Sequence, residues 1–172
     1  QARHPVMSRL LGALQLHRSA NGPDKLQRML ESQRHRGVTG NASWSNKTIA
    51  MAQLALWSTE HDCAQQLAHH DQNVLVADAR LDNRKDLQRI LACSAEEPDE
   101  QLILRAYARW GENCPAHLLG DFAFAIWNPR KQVLFCARDH LGCRHGSTDH
   151  GLEGTATRFI CCGADQGQGV SD

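Results

Sequence analysis

The sequence has little of what marks membrane, secreted or nucleic-acid-binding proteins. It holds 19 lysines and arginines against 19 aspartates and glutamates, so no net charge attracts nucleic acid or an anionic membrane. The longest apolar runs, such as residues 122–127, are far shorter than the roughly 20 residues that span a bilayer. The N-terminus has no signal-sequence pattern. We therefore expect a cytoplasmic protein with neither a nucleic-acid nor a membrane partner.

Patterns that indicate a metal site or a disulfide framework are also absent. The 7 cysteines include no CxxC pair, and the 10 histidines show no HxxxH or HExxH spacing. Cysteines that are odd in number and scattered suit reduced thiols that pack as small apolar side chains. The expectation is a chain without a bound metal ion.

Local patterns predict strands that alternate with helices. The apolar run 8–16 predicts a buried strand, and the spacing of Leu26, Met29 and Leu30 predicts a helix to about residue 34. Further strands are predicted at 42–44, 48–56, 73–80, 121–127, 133–138 and 158–162, and further helices at 84–92, from 96–99 onwards and at 115–118. Paired strands between helices indicate an α+β domain in which helices cover antiparallel sheets.

Some residues carry more detailed predictions. Large and small side chains alternate along 121–127, which indicates a strand with two unequally packed faces. Asp82 and Asn83 are expected to cap the helix that follows them, and Asp99 to cap the next helix. Gly120 is expected to permit a tight turn.

Three segments in sequence order resemble a known family. They are MSRLLGALQL (7–16), RMLESQRHRGVTGN (28–41) and the long stretch 99–144, which contains RAYARWG, GDFAFAIWNP and CARDHLG. Together they are similar to the N-terminal class II glutamine amidotransferase domain of asparagine synthetases. The variety they resemble lacks the nucleophile cysteine, as in lactam-forming and lasso-peptide-cyclase homologues. The resemblance implies the N-terminal-nucleophile (Ntn) hydrolase fold, a four-layer αββα sandwich of antiparallel sheets flanked by helices.

The same resemblance divides the chain. Residues 7–144 correspond to the amidotransferase-like domain, and residues 1–6 are extra. Residues 145–172 are a diverged C-terminal segment of the same domain. We predict partial disorder there because the segment is rich in glycine, serine and threonine.

The resemblance implies that the catalytic positions have changed. In the family a terminal cysteine attacks the glutamine side-chain amide and its own α-amino group acts as the base. Ser8 stands at that position, and residues 1–7 precede it, so it has a free amine only if the chain is cut directly before it. The Asn-Gly-Glu of the family's oxyanion site corresponds to Asp78, Ala79 and Arg80. An ionised Asp78 repels an oxyanion and Arg80 repels an ammonium group, so we expect a degenerate site.

Two substrate-binding positions keep the family's residue type. The resemblance implies that Arg36 pairs with the α-carboxylate of glutamine and that Asp99 faces its α-amino group. A guanidinium pairs with a carboxylate in a bidentate way, which is why an arginine suits that position. The alternative interpretations are a surface arginine and a helix-capping aspartate.

Three functional hypotheses follow. The first is a degenerate glutaminase that serves as the structural half of an ATP-dependent amide-forming ligase. The second is an active, ammonia-supplying domain that uses processed Ser8, and the third is a module that binds glutamine or another amino acid through Arg36 and Asp99. No Ser-Gly-Gly-x-Asp-Ser loop occurs, so ATP and magnesium are expected only in a synthetase domain outside this chain. The expected partners are that domain or subunit and a second copy in a homodimer.

Overall fold

Two β-sheets form the centre of the protein. The structure is a computed structural model that describes residues 8–14, 26–28, 30–31, 40–46, 49–55, 67–139 and 158–162. Sheet A consists of β1 (Ser8–Leu14), β2 (Gly40–Ser45) and β3 (Ile49–Ala55). It is antiparallel throughout, and β3 lies between the other two strands.

Sheet B contains five strands in sequence order. They are β4 (Ala68–His70), β5 (Asn73–Leu81), β6 (Gly120–Asn128), β7 (Val133–Arg138) and β8 (Arg158–Cys162). The first four strands pair antiparallel, whereas β8 runs parallel to β7. Each predicted strand is therefore confirmed, and β8 departs from the antiparallel expectation. Residues 139–157 separate β7 from β8 in the sequence.

Helices lie at the positions predicted from periodicity. Helix α1 spans Arg84–Leu91, helix α2 spans Asp99–Trp110, and a 3₁₀ helix spans Gly111–His117. Residues 26–28 and 30–31 are also helical. The remainder of the helix predicted to residue 34 lies outside the described residues.

The layers follow from which apolar residues pack together. Leu26 packs with Ala50 and Ala52, so the N-terminal helical residues cover the outer face of sheet A. Between the sheets, residues of β3 meet residues of β5, β6 and β7; this cluster contains Ile49, Met51, Val74, Val76, Trp127 and Leu134. The α+β expectation and the layer order αββα are confirmed for the described part of the chain.

The largest apolar cluster lies between sheet B and helices α1 and α2. It contains Leu75, Ala77, Leu87, Leu102, Ile103, Tyr107, Phe122, Phe124, Ile126 and Phe135, among others. The three large residues of β6 face the helices, whereas Trp127 and Ala125 face sheet A. The predicted alternation along β6 is therefore confirmed, because period two sends neighbouring side chains to opposite layers.

The predicted cap of α1 is correct in position but not in its side-chain bond, and the predicted cap of α2 is wrong. Asn83 is the N-cap residue of α1, and its carbonyl accepts the Asp86 and Leu87 N–H groups, both at 3.1 Å. The Asn83 side chain accepts a hydrogen bond from the Leu119 N–H at 3.1 Å and donates one to the His117 carbonyl at 2.9 Å, and makes no capping bond. Helix α2 begins after Pro98, so Asp99 is its first residue and does not act as the cap. Tertiary partners compete with local caps for short polar side chains, and here they prevail.

Candidate functional site

The positions that the sequence singled out lie on both sheets. Ser8 is the first residue of β1 and pairs opposite Ala55 of β3. Strand β1 packs against β5, which carries Asp78 and Ala79. Arg36 lies outside the described residues. The fold therefore brings the strand of Ser8 against the strand of Asp78 and Ala79, as the resemblance to the amidotransferase domain implies.

Asp78 faces the interior between the sheets. Val74 and Val76 of the same strand belong to the cluster between the sheets, and period two places Asp78 on their side. Its residue exposure is 9 %, so the carboxylate is largely withdrawn from water. The facing residue on β6 is Ala123, whose side chain is small. A carboxylate thus occupies the place where the resemblance requires a hydrogen-bond donor for an oxyanion.

The backbone of Ala79 keeps a donor at the edge of sheet B. Strand β4 pairs only with the first three residues of β5, so no described strand covers the edge beyond them. The N–H groups of Ala77 and Leu81 point to that edge, where they bond the side chains of Gln53 at 3.4 Å and Asp99 at 3.1 Å. Because alternate residues of a strand share a hydrogen-bonding edge, the Ala79 N–H points the same way. The Ala79 N–H therefore has the direction that a backbone donor of the oxyanion site needs, and its role there remains a prediction.

Arg80 is held by carboxylates of this chain. Its Nη2 lies 3.6 Å from Asp82 Oδ1 and 3.6 Å from Asp121 Oδ2, and Asp121 is its cross-strand partner on β6. The arginine side chain is 62 % exposed, so these pairs are solvent-screened and contribute little to stability. They nevertheless place a cation where the resemblance has a glutamate for the substrate's ammonium group.

Asp99 is paired inside the chain. Its Oδ2 accepts the Leu81 N–H, and its Oδ1 forms an ion pair with Nη1 of Arg84. The second guanidinium nitrogen, Nη2, donates to the Glu97 carbonyl at 2.6 Å. Asp99 therefore joins the end of β5, the first turn of α1 and the start of α2. Its role as a ligand for an amino group remains a prediction.

Glu100 adds a carboxyl group that sequence reasoning missed. Burial raises its pKa above the ordinary value, and the Asp78 charge raises it further, while a backbone hydrogen bond and Arg84 act in the opposite direction. Glu100 therefore interacts electrostatically with Asp78, the residue that the resemblance assigns to the oxyanion site. In the sequence, Glu100 could have been noticed as the second residue of the acidic pair 99–100. That pair was attributed to the general preference for acidic residues at the start of a helix. Arg84 was missed as well, although it ends the stretch DARLDNR.

The described residues contain no group of three or more histidine, cysteine, aspartate or glutamate side chains arranged to hold a metal ion. Among them, no helix is both long and apolar enough to cross a membrane.

Comparison with known sequences decides the family. The profile of the family described as "Glutamine amidotransferase domain" matches residues 7–145. The chain belongs to that family. Its similarity to asparagine synthetases places this amidotransferase domain with the asparagine synthetase type.

Three relatives illustrate the likeness. Asparagine synthetase [glutamine-hydrolyzing] 3 of Bacillus subtilis is 27% identical over 127 residues, which cover 69% of this chain and 21% of the relative. A putative asparagine synthetase [glutamine-hydrolyzing] of Mycobacterium bovis is 36% identical over 91 residues, or 50% of this chain and 14% of the relative. Amidase chyE of Penicillium rubens is 25% identical over 127 residues, or 70% of this chain and 19% of the relative. The amidotransferase domain thus matches about a fifth or less of each relative's length.

Proposed function

We propose that this chain is a glutamine amidotransferase domain that has lost glutaminase activity and serves as the structural half of an ATP-dependent amide-forming ligase. The observation that carries the proposal is the internal pairing at the positions for the substrate's amino group. Arg80 is engaged with Asp82 and Asp121, and Asp99 is engaged with Arg84. The ammonium group of a free amino acid would have to displace Arg84 from Asp99, and it would be repelled by the positive charge of Arg80.

The oxyanion position supports the same proposal. Removal of one oxyanion donor lowers turnover by about two to three orders of magnitude. At residue 78 the donor is replaced by a largely buried carboxylate, which adds repulsion to the loss. Ser8 supplies a hydroxyl in place of a thiol, and a hydroxyl gives up its proton less readily.

A glutaminase assay tests the loss of activity. The chain is prepared to begin at Ser8, with a free α-amine, and is compared with a Ser8→Ala chain that begins at the same residue. We expect both to release glutamate at the same background rate. The corresponding domain of the glutamine-hydrolyzing Bacillus relative is the positive control. Glutamate release that Ser8→Ala abolishes would overturn the proposal.

The ligase role rests on the relatives, whose names describe asparagine synthetases and an amidase. In the polypeptide or complex that carries this chain, we expect deletion of residues 7–145 to abolish amide formation even when ammonium is supplied. Ser8→Ala in the same protein is expected to leave that activity unchanged. If ammonium restores activity to the deleted protein, the domain supplies nitrogen and is not a structural support.

The surviving Ala79 N–H favours a second candidate, an active domain that uses processed Ser8. This candidate requires the chain to be cut directly before Ser8, because only then is the base available. Mass spectrometry of the protein isolated from cells identifies its first residue. A mature chain that still carries residues 1–7 excludes this candidate.

A further inference from the structure

We propose that Asp99 and the Glu97 carbonyl form a guanidinium site that Arg84 fills from within the chain. Arg84 then occupies the place of the ammonium group of a bound amino acid, so that a free amino acid has no access to Asp99. This inference rests on the proposed loss of glutaminase function. It differs from that proposal by assigning a cation-binding pocket and its present occupant.

The geometry suits a guanidinium better than an ammonium group. The two terminal nitrogens of Arg84 meet different acceptors, since Nη1 pairs with Asp99 and Nη2 donates to the Glu97 carbonyl at 2.6 Å. A planar fork can place one nitrogen against a carboxylate while the other donates to a carbonyl, whereas a lysine ammonium is a single point charge on a flexible stem. The Leu81 N–H fixes the other oxygen of Asp99, so the pocket is positioned by β5.

The carboxylates around the Arg84 guanidinium are stabilised by a positive charge. Asp99 and Glu100 are consecutive at the start of α2, and the charge of Asp78 acts on Glu100. Arg84 is the cation that interacts with both carboxyl groups of α2. Its side chain is only 32 % exposed and that of Asp99 only 15 %. Loss of the guanidinium would leave a half-buried cluster of negative charge, which attracts any small cation that can donate hydrogen bonds.

Rescue with a small cation tests the inference. The Arg84→Ala chain is unfolded thermally with and without millimolar methylguanidinium chloride, and tetramethylammonium chloride controls for ionic strength because it donates no hydrogen bond. We expect methylguanidinium to raise the unfolding midpoint of Arg84→Ala by at least about 3 °C. The wild type and the double variant Arg84→Ala/Asp99→Asn should show no such rise.

If Arg84→Ala does not fold, the same cations are added during refolding. Recovery of the native circular dichroism spectrum with methylguanidinium, in the single but not the double variant, supports the pocket. Equal behaviour of the single and double variants overturns it, in either format.

Calorimetry separates this inference from the proposed function. Binding of glutamine to the wild type that disappears in Asp99→Asn would show an open site and overturn the inference, whether or not glutamine is hydrolysed. Glutamate release that depends on Ser8 would overturn the proposed function, whatever the outcome of cation rescue.

Discussion

The Leu81 N–H donates to the Asp99 carboxylate at 3.1 Å, which ties the last residue of β5 to the first residue of α2. The N–H groups at the edge of a sheet and in the first turn of a helix have no backbone partner within that sheet or helix, so they need other hydrogen-bond acceptors. One side chain serves the first need and also neutralises Arg84. The edge of sheet B next to Ala79 is therefore held by a charged group and not by another described strand.

Substitution of Asp99 should separate its two contacts. Asp99→Ala removes both the acceptor and the charge, and we expect a loss of about 3 kcal/mol in the free energy of unfolding. Asp99→Asn keeps an oxygen for the Leu81 N–H and should lose about half as much. Asp86→Ala removes an exposed ion pair with Arg89 on α1 and should cost less than about 1 kcal/mol. Urea unfolding measures all three, and equal losses for Asp99→Ala and Asp86→Ala would contradict the assignment.

Two glycines with positive φ should respond differently to alanine. At Gly120 φ is +136°, and an added Cβ would lie 2.1 Å from the Arg80 carbonyl oxygen. At Gly111 φ is +59°, and a Cβ would meet nothing within 4 Å. We expect Gly111→Ala to cost about 1 kcal/mol and Gly120→Ala more than about 3 kcal/mol. Thermal unfolding distinguishes them, and similar midpoints would show that the approach of β6 to β5 relaxes easily.

The half-buried carboxyl of Glu100 should make the free energy of unfolding depend on pH. Burial raises its pKa in the folded state, so ionisation there is less favourable than in the unfolded chain. The penalty is absent below the ordinary glutamate pKa of about 4.3, grows as pH rises through the raised pKa, and is complete above it. Glu100→Gln should therefore stabilise the protein at pH 7 but not at pH 3. Glu96→Gln, at an exposed site, is the control, and an equal gain from both variants would refute the burial argument.

The Glu97–Arg105 pair should show the opposite pH dependence. The Arg105 hydrogen bond at 2.7 Å lowers the pKa of Glu97, although burial partly opposes this. The pair therefore stabilises the protein above the ordinary glutamate pKa, and this contribution disappears as pH falls through the lowered folded value. A double-mutant cycle with Glu97→Gln and Arg105→Met should give a coupling of about 1 kcal/mol at pH 7. The same coupling at pH 2 as at pH 7 would contradict an ionic origin.

Sequence patterns predicted most of the elements but missed β4 (Ala68–His70), and they did not predict side-chain partners. The alternation of large and small residues along β6 predicted its two faces because strand geometry is local. Asn83 stands at the predicted N-cap position, but its side chain bonds residues 117 and 119, which are distant in sequence and therefore not visible to local patterns. The four-layer order came from the resemblance, since periodicity does not say which sheet faces which.

The candidate site, too, was predicted from the sequence only in part. Ser8, Asp78 and Ala79 came from aligned motifs, and the fold places β1 against β5. The pairing of Arg84 with Asp99 spans two helices, so it became visible only when α1 and α2 were packed together. The effect of Asp78 on Glu100 likewise depends on how α2 meets the edge of β5.

The Gln53 side chain forms a hydrogen bond between the two sheets and so restricts their sliding past each other. Apolar contacts between sheets are non-directional and tolerate small shear, whereas a hydrogen bond does not. The Gln53 side chain of β3 reaches the Ala77 N–H of β5, and Gln53 is also the register partner of Leu10 on β1. Ser8 lies two residues before Leu10, and Asp78 follows Ala77. The Gln53–Ala77 hydrogen bond therefore opposes sliding of β3, and of the paired strand β1 that carries Ser8, relative to Asp78 on β5.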